Sequence, residues 1–313
     1  VTNSGFAYRE TVSPAAAGRS LLDHLARRYR HTPAGEWEAR IAAGRVLVDG
    51  RAVPADAILL SGQTVVWNRP PWAEPEAPLA WALLHLDVDL LAAAKPAGLP
   101  TMPGGGFLEH TLLALVRRRF PEASPVHRLD RGASGIVLFA RNAPTGERLS
   151  HAFRAGRVVK EYRALVRGVP GRDAFAITVP IARVAHPRIG WVHAACGETG
   201  AQGPDPEVAG PIRPSRTEVE VLERRAGASL LRVRPITGRP HQIRIHLAAA
   251  GLPLVGEPLY LAGGTARPDA AACGAGGYLL HALRLVVVSP STGRPIDVEC
   301  APPPALRAAG TRV

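Results

Sequence analysis

Lysine is almost missing from this chain. Of 313 residues only Lys95 and Lys160 are lysine, so 36 of the 38 basic side chains are arginine. Together with the abundance of Ala, Gly and Pro this is the vocabulary of GC-rich codons, which accounts for arginine over lysine but not for the excess of base over acid. That excess gives a formal net charge of +12 and a pI of ≈ 10.8. An anionic partner is expected, nucleic acid first, with Arg27, Arg28 and Arg30 and the run Arg117, Arg118, Arg119 as the visible clusters. Cysteine is scarce too. Cys196, Cys273 and Cys300 are odd in number and form no C-x-x-C pair, which argues against a disulfide framework or a zinc clip and for reduced thiols in the cytoplasm. No apolar run approaches the ~18 residues of a membrane span. Residues 136–140 are a run of five, and the greasy stretch 79–99 is broken by His85, Asp87, Asp89 and Lys95. The start of the sequence lacks a charged-then-apolar signal pattern, so membrane-spanning and secreted proteins are not expected. Glycine (32) and proline (30) are plentiful but have no Gly-X-Y period, which excludes collagen.

What is there suffices for a core: 46% apolar and 20% charged residues, in a length that suits one large domain or two. Residues 1–18 show no periodicity and read as an arm. A helix is expected from Leu21 with Ser20 as its N-cap, then a second over 36–43 ending at Gly44. Residues 45–53 read as a hairpin turning at Asp49-Gly50, and 63–67 as another strand. Four prolines in 69–78 make a semi-rigid linker. Beyond it, strands are expected at 84–87, 90–94, 136–141, 161–166, 217–223, 230–235 and 284–288, with helices near 111–120, 145–154 and 240–250. The irregular order favours α+β over a doubly wound sheet. Residues 197–214 and 263–277 read as loop insertions.

Three segments could carry chemistry. In Val126-His-Arg-Leu-Asp130-Arg-Gly-Ala-Ser-Gly135, charged residues precede a strand that reads as buried on both faces. A carboxylate between arginines is held ionised and can serve as nucleophile or base. It can equally fix a turn, with Gly132 at a positive φ. In Lys160-Glu-Tyr162-Arg-Ala164, strand alternation puts Lys160, Tyr162 and Ala164 on one face; a tyrosine there suits a core as well as a site. In Thr237-Gly-Arg239-Pro-His241-Gln242-Ile-Arg244-Ile-His246-Leu247, Thr237 or Arg239 opens a helix, Pro240 sits in its first turn and Gly251 stops it. Ile243, Leu247 and Ala250 form its apolar stripe, and its N-terminal end suits a carboxylate or phosphate. His241 and His246 lack the H-E-x-x-H arrangement, so no metal is expected.

In chain order these segments resemble the RluA family of pseudouridine synthases. His127-Arg-Leu-Asp130-x-x-x-Ser-Gly135 is similar to its aspartate motif, Lys160-Glu-Tyr162-x-Ala164 to its tyrosine motif, and Thr237-Gly-Arg-x-His-Gln-Ile-Arg244 with Gly251-x-Pro253-x-x-Gly256 to its basic motif. Lys95-Pro-Ala-Gly98 resembles its early motif, and Leu280-His-Ala282 with Pro290-Ser-Thr-Gly293 its late one. Ala94, Ala133, Arg141, Pro240 and Glu257 depart from the usual Asn, Thr, Lys, Thr or Ser, and Asp; these departures bear on substrate preference. The N-terminal unit resembles the RNA-binding domain named after ribosomal protein S-four, on Ile41-x-x-Gly44-x-Val46-x-Val48-x-Gly50 and the Gly62-Gln63 turn.

The resemblance implies an α+β protein: a mixed, mainly antiparallel central sheet with flanking helices over 81–303, a small N-terminal α/β RNA-binding domain within 1–68, a linker at 69–80 and a tail at 304–313. It implies Asp130 as the essential residue, attacking carbon 1′ of the sugar or removing the 2′ proton. Arg244 would pair with Asp130, Tyr162 would stack on the base and help remove the carbon-5 proton, and Arg128 would hold the nucleotide or its phosphate. Lys160, Arg239, His241 and Gln242 are expected to bind substrate. No cofactor is needed, because the isomerisation transfers neither electrons nor a group. The expected partner is structured RNA, ribosomal or transfer, with a monomer as the default state and the segment 168–215 as the place where RNAs are discriminated. Two other classes compete: an RNA-binding protein without catalysis, and a nucleoside or glycoside hydrolase, which needs a second working carboxylate.

Overall fold

A computed structural model of the chain describes residues 2–29, 32–197, 208–270 and 277–309. It divides into two compact units, Val1–Glu74 and Pro75–Val313, and the division falls within the proline-rich stretch 69–80. Arg30, Cys273 and the Glu198-Thr-Gly200 stretch lie outside the described residues.

The first unit contains β1 (Phe6–Thr11), α1 (Leu21–Arg28), α2 (Ala34–Ala42), β2 (Val46–Val48), β3 (Arg51–Ala52) and β4 (Thr64–Arg69). Its sheet runs β1-β4-β2-β3. The expected arm is therefore a strand: Phe6 to Thr11 pair antiparallel with Arg69 to Thr64. Alternation is hidden in this segment because an exposed strand face carries aromatics, Tyr8 stacking on Trp67 at 5.0 Å. Ser20 caps α1, its hydroxyl accepting from the Asp23 amide at 3.2 Å. Asp49 and Gly50 both have positive φ, 49° and 79°, the primed turn that suits a tight hairpin. Leu21, Leu25, Trp37, Ile41 and Val46 close the small core.

The second unit contains β5 (Ala82–Leu86), β6 (Leu90–Lys95), α3 (Leu112–Arg117), β7 (Ser124–Pro125), β8 (Ser134–Ala140), α4 (Ala143–Arg154), β9 (Val159–Arg167), β10 (Ala174–Ile177), β11 (Ile181–His186), β12 (Gly190–Ala195), β13 (Thr217–Arg225), β14 (Ala228–Pro235), α5 (Gln242–Ala249), β15 (Leu280–Val288) and β16 (Pro295–Glu299). The main sheet runs β10-β13-β14-β9-β15-β8-β6-β5, with β16 on β15 and β7 on β8. Of its pairings only β8 with β15 is parallel. The α+β architecture thus holds. β8 lies between β6 and β15 and is buried from Gly135 to Ala140, as an apolar run without alternation requires. Gly135 is indispensable at that junction: at φ 109°, a Cβ there would stand 2.2 Å from the Ala282 carbonyl oxygen.

Expectations for the second unit also need correction. The β11–β12 hairpin forms where no strand was expected, since its alternation is written largely in alanine. And α5 begins at Gln242, not at Pro240, with His241 as a left-handed N-cap. It is not amphipathic either: every residue from Gln242 to Ala248 is buried. A helix enclosed on all sides shows no stripe.

Candidate active site

Asp130 sits in the loop that leads into β8, and the loop is tied down at several points. The Thr101 hydroxyl donates to the Leu129 carbonyl at 2.7 Å and accepts from the Leu129 amide. The Gly98 amide donates to the Arg131 carbonyl at 2.7 Å, and the Ala133 amide to the Asp130 carbonyl. Lys95, at the end of β6 and 2% exposed, donates its ammonium to the carbonyls of Pro96, Leu99 and Arg131. Burial pulls its pKa down to about 7. Gly132 does not provide a positive φ; it is glycine because the Tyr278 ring lies against it. His127 is a structural plug. Its Nε2 accepts from the Leu138 amide at 3.0 Å, its ring stacks on Phe153, and burial first and then the Lys160 charge push its pKa down to about 3.

From α5, Arg244 reaches Asp130. Its Nη1 donates to Asp130 Oδ2 at 3.1 Å, while its Nε and Nη2 grip both oxygens of Glu257 at 2.9 and 2.6 Å. Arg244 and Glu257 are almost wholly buried. The guanidinium also stacks on Tyr278 at 4.5 Å and Tyr260 at 5.1 Å. Tyr278 donates its hydroxyl to Asp130 Oδ2 at 3.3 Å. Glu257 Oε1 further accepts the amides of Leu259 and Tyr260, so its position is set by backbone. Burial alone would raise the Asp130 pKa. The charges of His241 and Arg244, the Arg244 hydrogen bond and the charge of Arg128 overcome it and hold the carboxyl below the usual range. Burial also pushes His241 below its ordinary value, so at neutral pH the permanent charge of Arg244 does most of the holding.

Tyr162, on β9, faces the same space. Burial and the Asp130 charge push its phenol up to about 12. Lys160, two residues earlier on the same face, is half-buried, has its pKa lowered by burial and makes no hydrogen bond among the described residues. A Cβ on Gly238 would lie 3.9 Å from its Nζ, so the ammonium borders the segment leading into α5. Arg128 is exposed on the Asp130 loop. Arg239 donates its Nε to the Pro214 carbonyl at 3.2 Å and lines a cleft of ≈ 370 Å³ with Arg183, His193 and Arg213. A larger open groove of ≈ 790 Å³ runs along β10 and the end of α5, and none of the expected site residues lines it.

Gln242 is the exception. It is 4% exposed, and its amide is fully engaged: the oxygen with the Thr237 hydroxyl and Arg239 amide, the nitrogen with the Arg216 carbonyl and Thr217 hydroxyl. It fastens the α5 lead-in to β13 and has nothing left for a ligand. Sequence reasoning missed Glu257, Tyr278 and Tyr260 as parts of the site, and left Lys95 without a role. Glu257 and Lys95 stood inside quoted motifs, where a buried charge flags a partner; an isolated tyrosine carries no such flag.

The mixed, mainly antiparallel sheet presents an arginine-clamped aspartate in the company of a tyrosine, a set that can do nucleophilic or acid–base chemistry, and comparison with known proteins gives the family. Residues 89–249 match the family model described as RNA pseudouridylate synthase. The chain belongs to the RNA pseudouridine synthases, as its RluA-like motifs imply. It is 36% identical to an uncharacterised RNA pseudouridine synthase of Synechocystis over 91% of this chain and 95% of that protein. It is 30% identical to the ribosomal large subunit pseudouridine synthase D of Yersinia pestis, over 94% of this chain and 90% of the relative. Among solved structures, the human RNA pseudouridylate synthase domain containing 1 covers 75% of this chain and 89% of its own, with a TM-score of 0.55 and 27% identity.

Proposed function

We propose that the chain isomerises particular uridines of a structured RNA to pseudouridine, with Asp130 as the reacting group. The observation that carries this reading is the Asp130 carboxylate, partly open to solvent at 20% exposure while its Oδ2 is held by the fully buried Arg244. An ionised carboxylate presented in this way can attack carbon 1′ or take the 2′ proton; either breaks the bond between uracil and ribose, and the base then rejoins through carbon 5. Arg244 keeps the carboxylate charged and in place. Tyr162, a phenol at neutral pH, serves the carbon-5 proton by passing it on rather than by keeping it, since its pKa is far above 7. Its ring supplies a face for the base.

The hydrolase alternative requires a second carboxylic acid that can give a proton. Glu257 lies across Arg244 from Asp130, but both its oxygens are committed to Arg244 and two amides and it is 2% exposed. It is a brace for the arginine. Lys160 and Arg128 form no salt bridge with a carboxylate among the described residues, although the charge of Arg128 is felt at Asp130, and both are suited to phosphates flanking an extruded nucleotide. The cleft of Arg183, His193, Arg213 and Arg239 suits the RNA backbone further along, which is where discrimination between ribosomal and transfer RNAs would act. Extruding the base costs a few kcal/mol, which such contacts offset.

Asp130→Asn tests the reading. Pseudouridine in transcripts incubated with the variant should be undetectable by mass spectrometry, while RNA affinity stays within a few fold. Measurable turnover would sink the assignment.

A further inference from the structure

His241 holds a backbone conformation that L-residues avoid, at φ 55° and ψ 16°, directly before the first turn of α5. Among the described residues only Asp49, in a hairpin turn, shares a positive φ without being glycine. The conformation aims the imidazole edge-on at Asp130. Nε2 lies 3.5 Å from Asp130 Oδ2, and Nδ1 lies 2.6 Å from the Tyr260 hydroxyl oxygen.

The hydrogen-bond network around that second contact assigns the imidazole proton. Tyr260 has one hydroxyl hydrogen, and donates it to the His193 carbonyl at 2.9 Å. Its oxygen can then only accept from Nδ1, so Nδ1 carries the hydrogen and Nε2 of the neutral ring is bare. The charged and titratable groups acting on the ring are Asp130, Arg244, His193 and Glu257; burial, with Arg244 and His193, keeps it neutral at pH 7 against the two carboxylates. Two acceptors, Nε2 and Oδ2, therefore face each other across 3.5 Å. Oδ2 already accepts from Arg244 and Tyr278, whereas Nε2 has no donor among the described residues, and the arrangement is completed by a hydrogen-bond donor given to Nε2.

A uridine inside an RNA strand offers two such donors, the base N3–H and the ribose 2′-hydroxyl. Asp130 works at carbon 1′ or carbon 2′, and the 2′-hydroxyl hangs from that edge of the sugar while N3–H points away across the ring. We propose that His241 Nε2 accepts the 2′-hydroxyl of the target nucleotide, beside Asp130 Oδ2, and so is the residue that distinguishes ribose from deoxyribose at the modified position. The inference rests on the reading of Asp130 given above. In the strained conformation the ring meets Tyr260 and Asp130 together.

The test uses the full chain and two synthetic RNAs that do not turn over. They carry pseudouridine or 2′-deoxypseudouridine at a mapped target position and compete with labelled substrate RNA. The wild type should prefer the ribose form by about tenfold, the worth of one hydrogen bond. His241→Asn, a residue that tolerates the left-handed conformation but is too short to reach Asp130, should reduce the preference below about twofold. Tyr260→Phe, which frees the ring to place its hydrogen on Nε2 and pair directly with Asp130, should reduce it as well. An undiminished preference in both variants, or none in the wild type, overturns the proposal while leaving the isomerase reading intact. Failure of the wild type to isomerise any transcript strikes that reading instead.

Discussion

Gly132→Ala perturbs the site through a single methyl group. A Cβ at this position would lie 2.5 Å from Tyr278 Cε1 and 2.9 Å from Cδ1 and Cζ, where ordinary contact begins at 3.4 Å. The ring must therefore shift by about 1 Å in an interior packed like a crystal. It has little room: Tyr278 is 2% exposed, stacks on Arg244 at 4.5 Å and donates to Asp130. Overpacking of this kind costs ~1–3 kcal/mol, and the reduced freedom of the unfolded chain returns ~0.4–1 kcal/mol. Since φ at Gly132 is not positive, no backbone strain adds to this. A net loss of ~1–2 kcal/mol should lower Tm by ~2–8 °C in a unit of this size. The rate should suffer more, by ~10-fold to ~100-fold, because a misplacement of ~1 Å at reacting groups costs that much. Calorimetry and single-turnover pseudouridine formation read the two effects. Gly132→Ala combined with Tyr278→Ala should cost less stability than the sum of the single changes. Gly171→Ala, with no atom within 4 Å of its Cβ and no positive φ, should leave Tm unchanged or slightly raised. Wild-type Tm and rate in Gly132→Ala would refute the packing argument.

Glu257→Gln removes one of two counterions from a buried arginine, and should destabilise the chain by about 3 kcal/mol, the lower end for breaking a buried pair; chemical denaturation checks this, and a loss under ~0.5 kcal/mol would mean the pair is dispensable. The pH profile follows from the site. Asp130 titrates below the usual carboxylate range and His241 below 6.5, so the ionised aspartate and neutral histidine persist as pH falls from 8 to 6.5. Both groups have depressed folded-state pKa values. For Asp130 this is stabilising above its unfolded value and lost as pH falls through its folded one; for His241 it opposes folding once the unfolded imidazole protonates. On the acid side the isomerisation rate should show no decline centred at or above pH 6.5; such a decline contradicts the assignment. Deleting Val1–Glu74, which holds none of the proposed site residues, should weaken RNA binding yet leave turnover at saturating RNA within a few fold; turnover that saturation cannot restore argues that the first unit takes part in the chemistry.

The framework was legible where residues answer to one rule. Ile136–Ala140 had to be a fully buried strand, and Asp49-Gly50 a hairpin turn; a charge beside a buried strand called for a partner, but that the partner of Asp130 is Arg244 came from the motif resemblance alone. It was illegible where two demands compete. Gln242 looks like a ligand-binding amide, but an amide inside a helix enclosed on all sides must be satisfied by protein. Pro240 looks like a helix start, yet His241 breaks the helical geometry there to aim its ring. Tyr278 and Gly132 meet across 146 positions of sequence, a contact that no local pattern encodes.

The shortage of lysine leaves the protein with an unusual chemical signature. Amine-selective reagents find two side-chain targets, and both belong to the site: Lys95, shut away under the Asp130 loop, and Lys160, half-open with a basicity that burial has reduced. A less basic amine is more often unprotonated at neutral pH and so more nucleophilic. Among side chains, acylation of the native protein would concentrate at Lys160, and bound RNA would shield it. The arginines that supply nearly all of the positive charge would remain unmarked, so a reagent usually regarded as indiscriminate becomes, for this sequence, a reporter of whether one cleft is occupied.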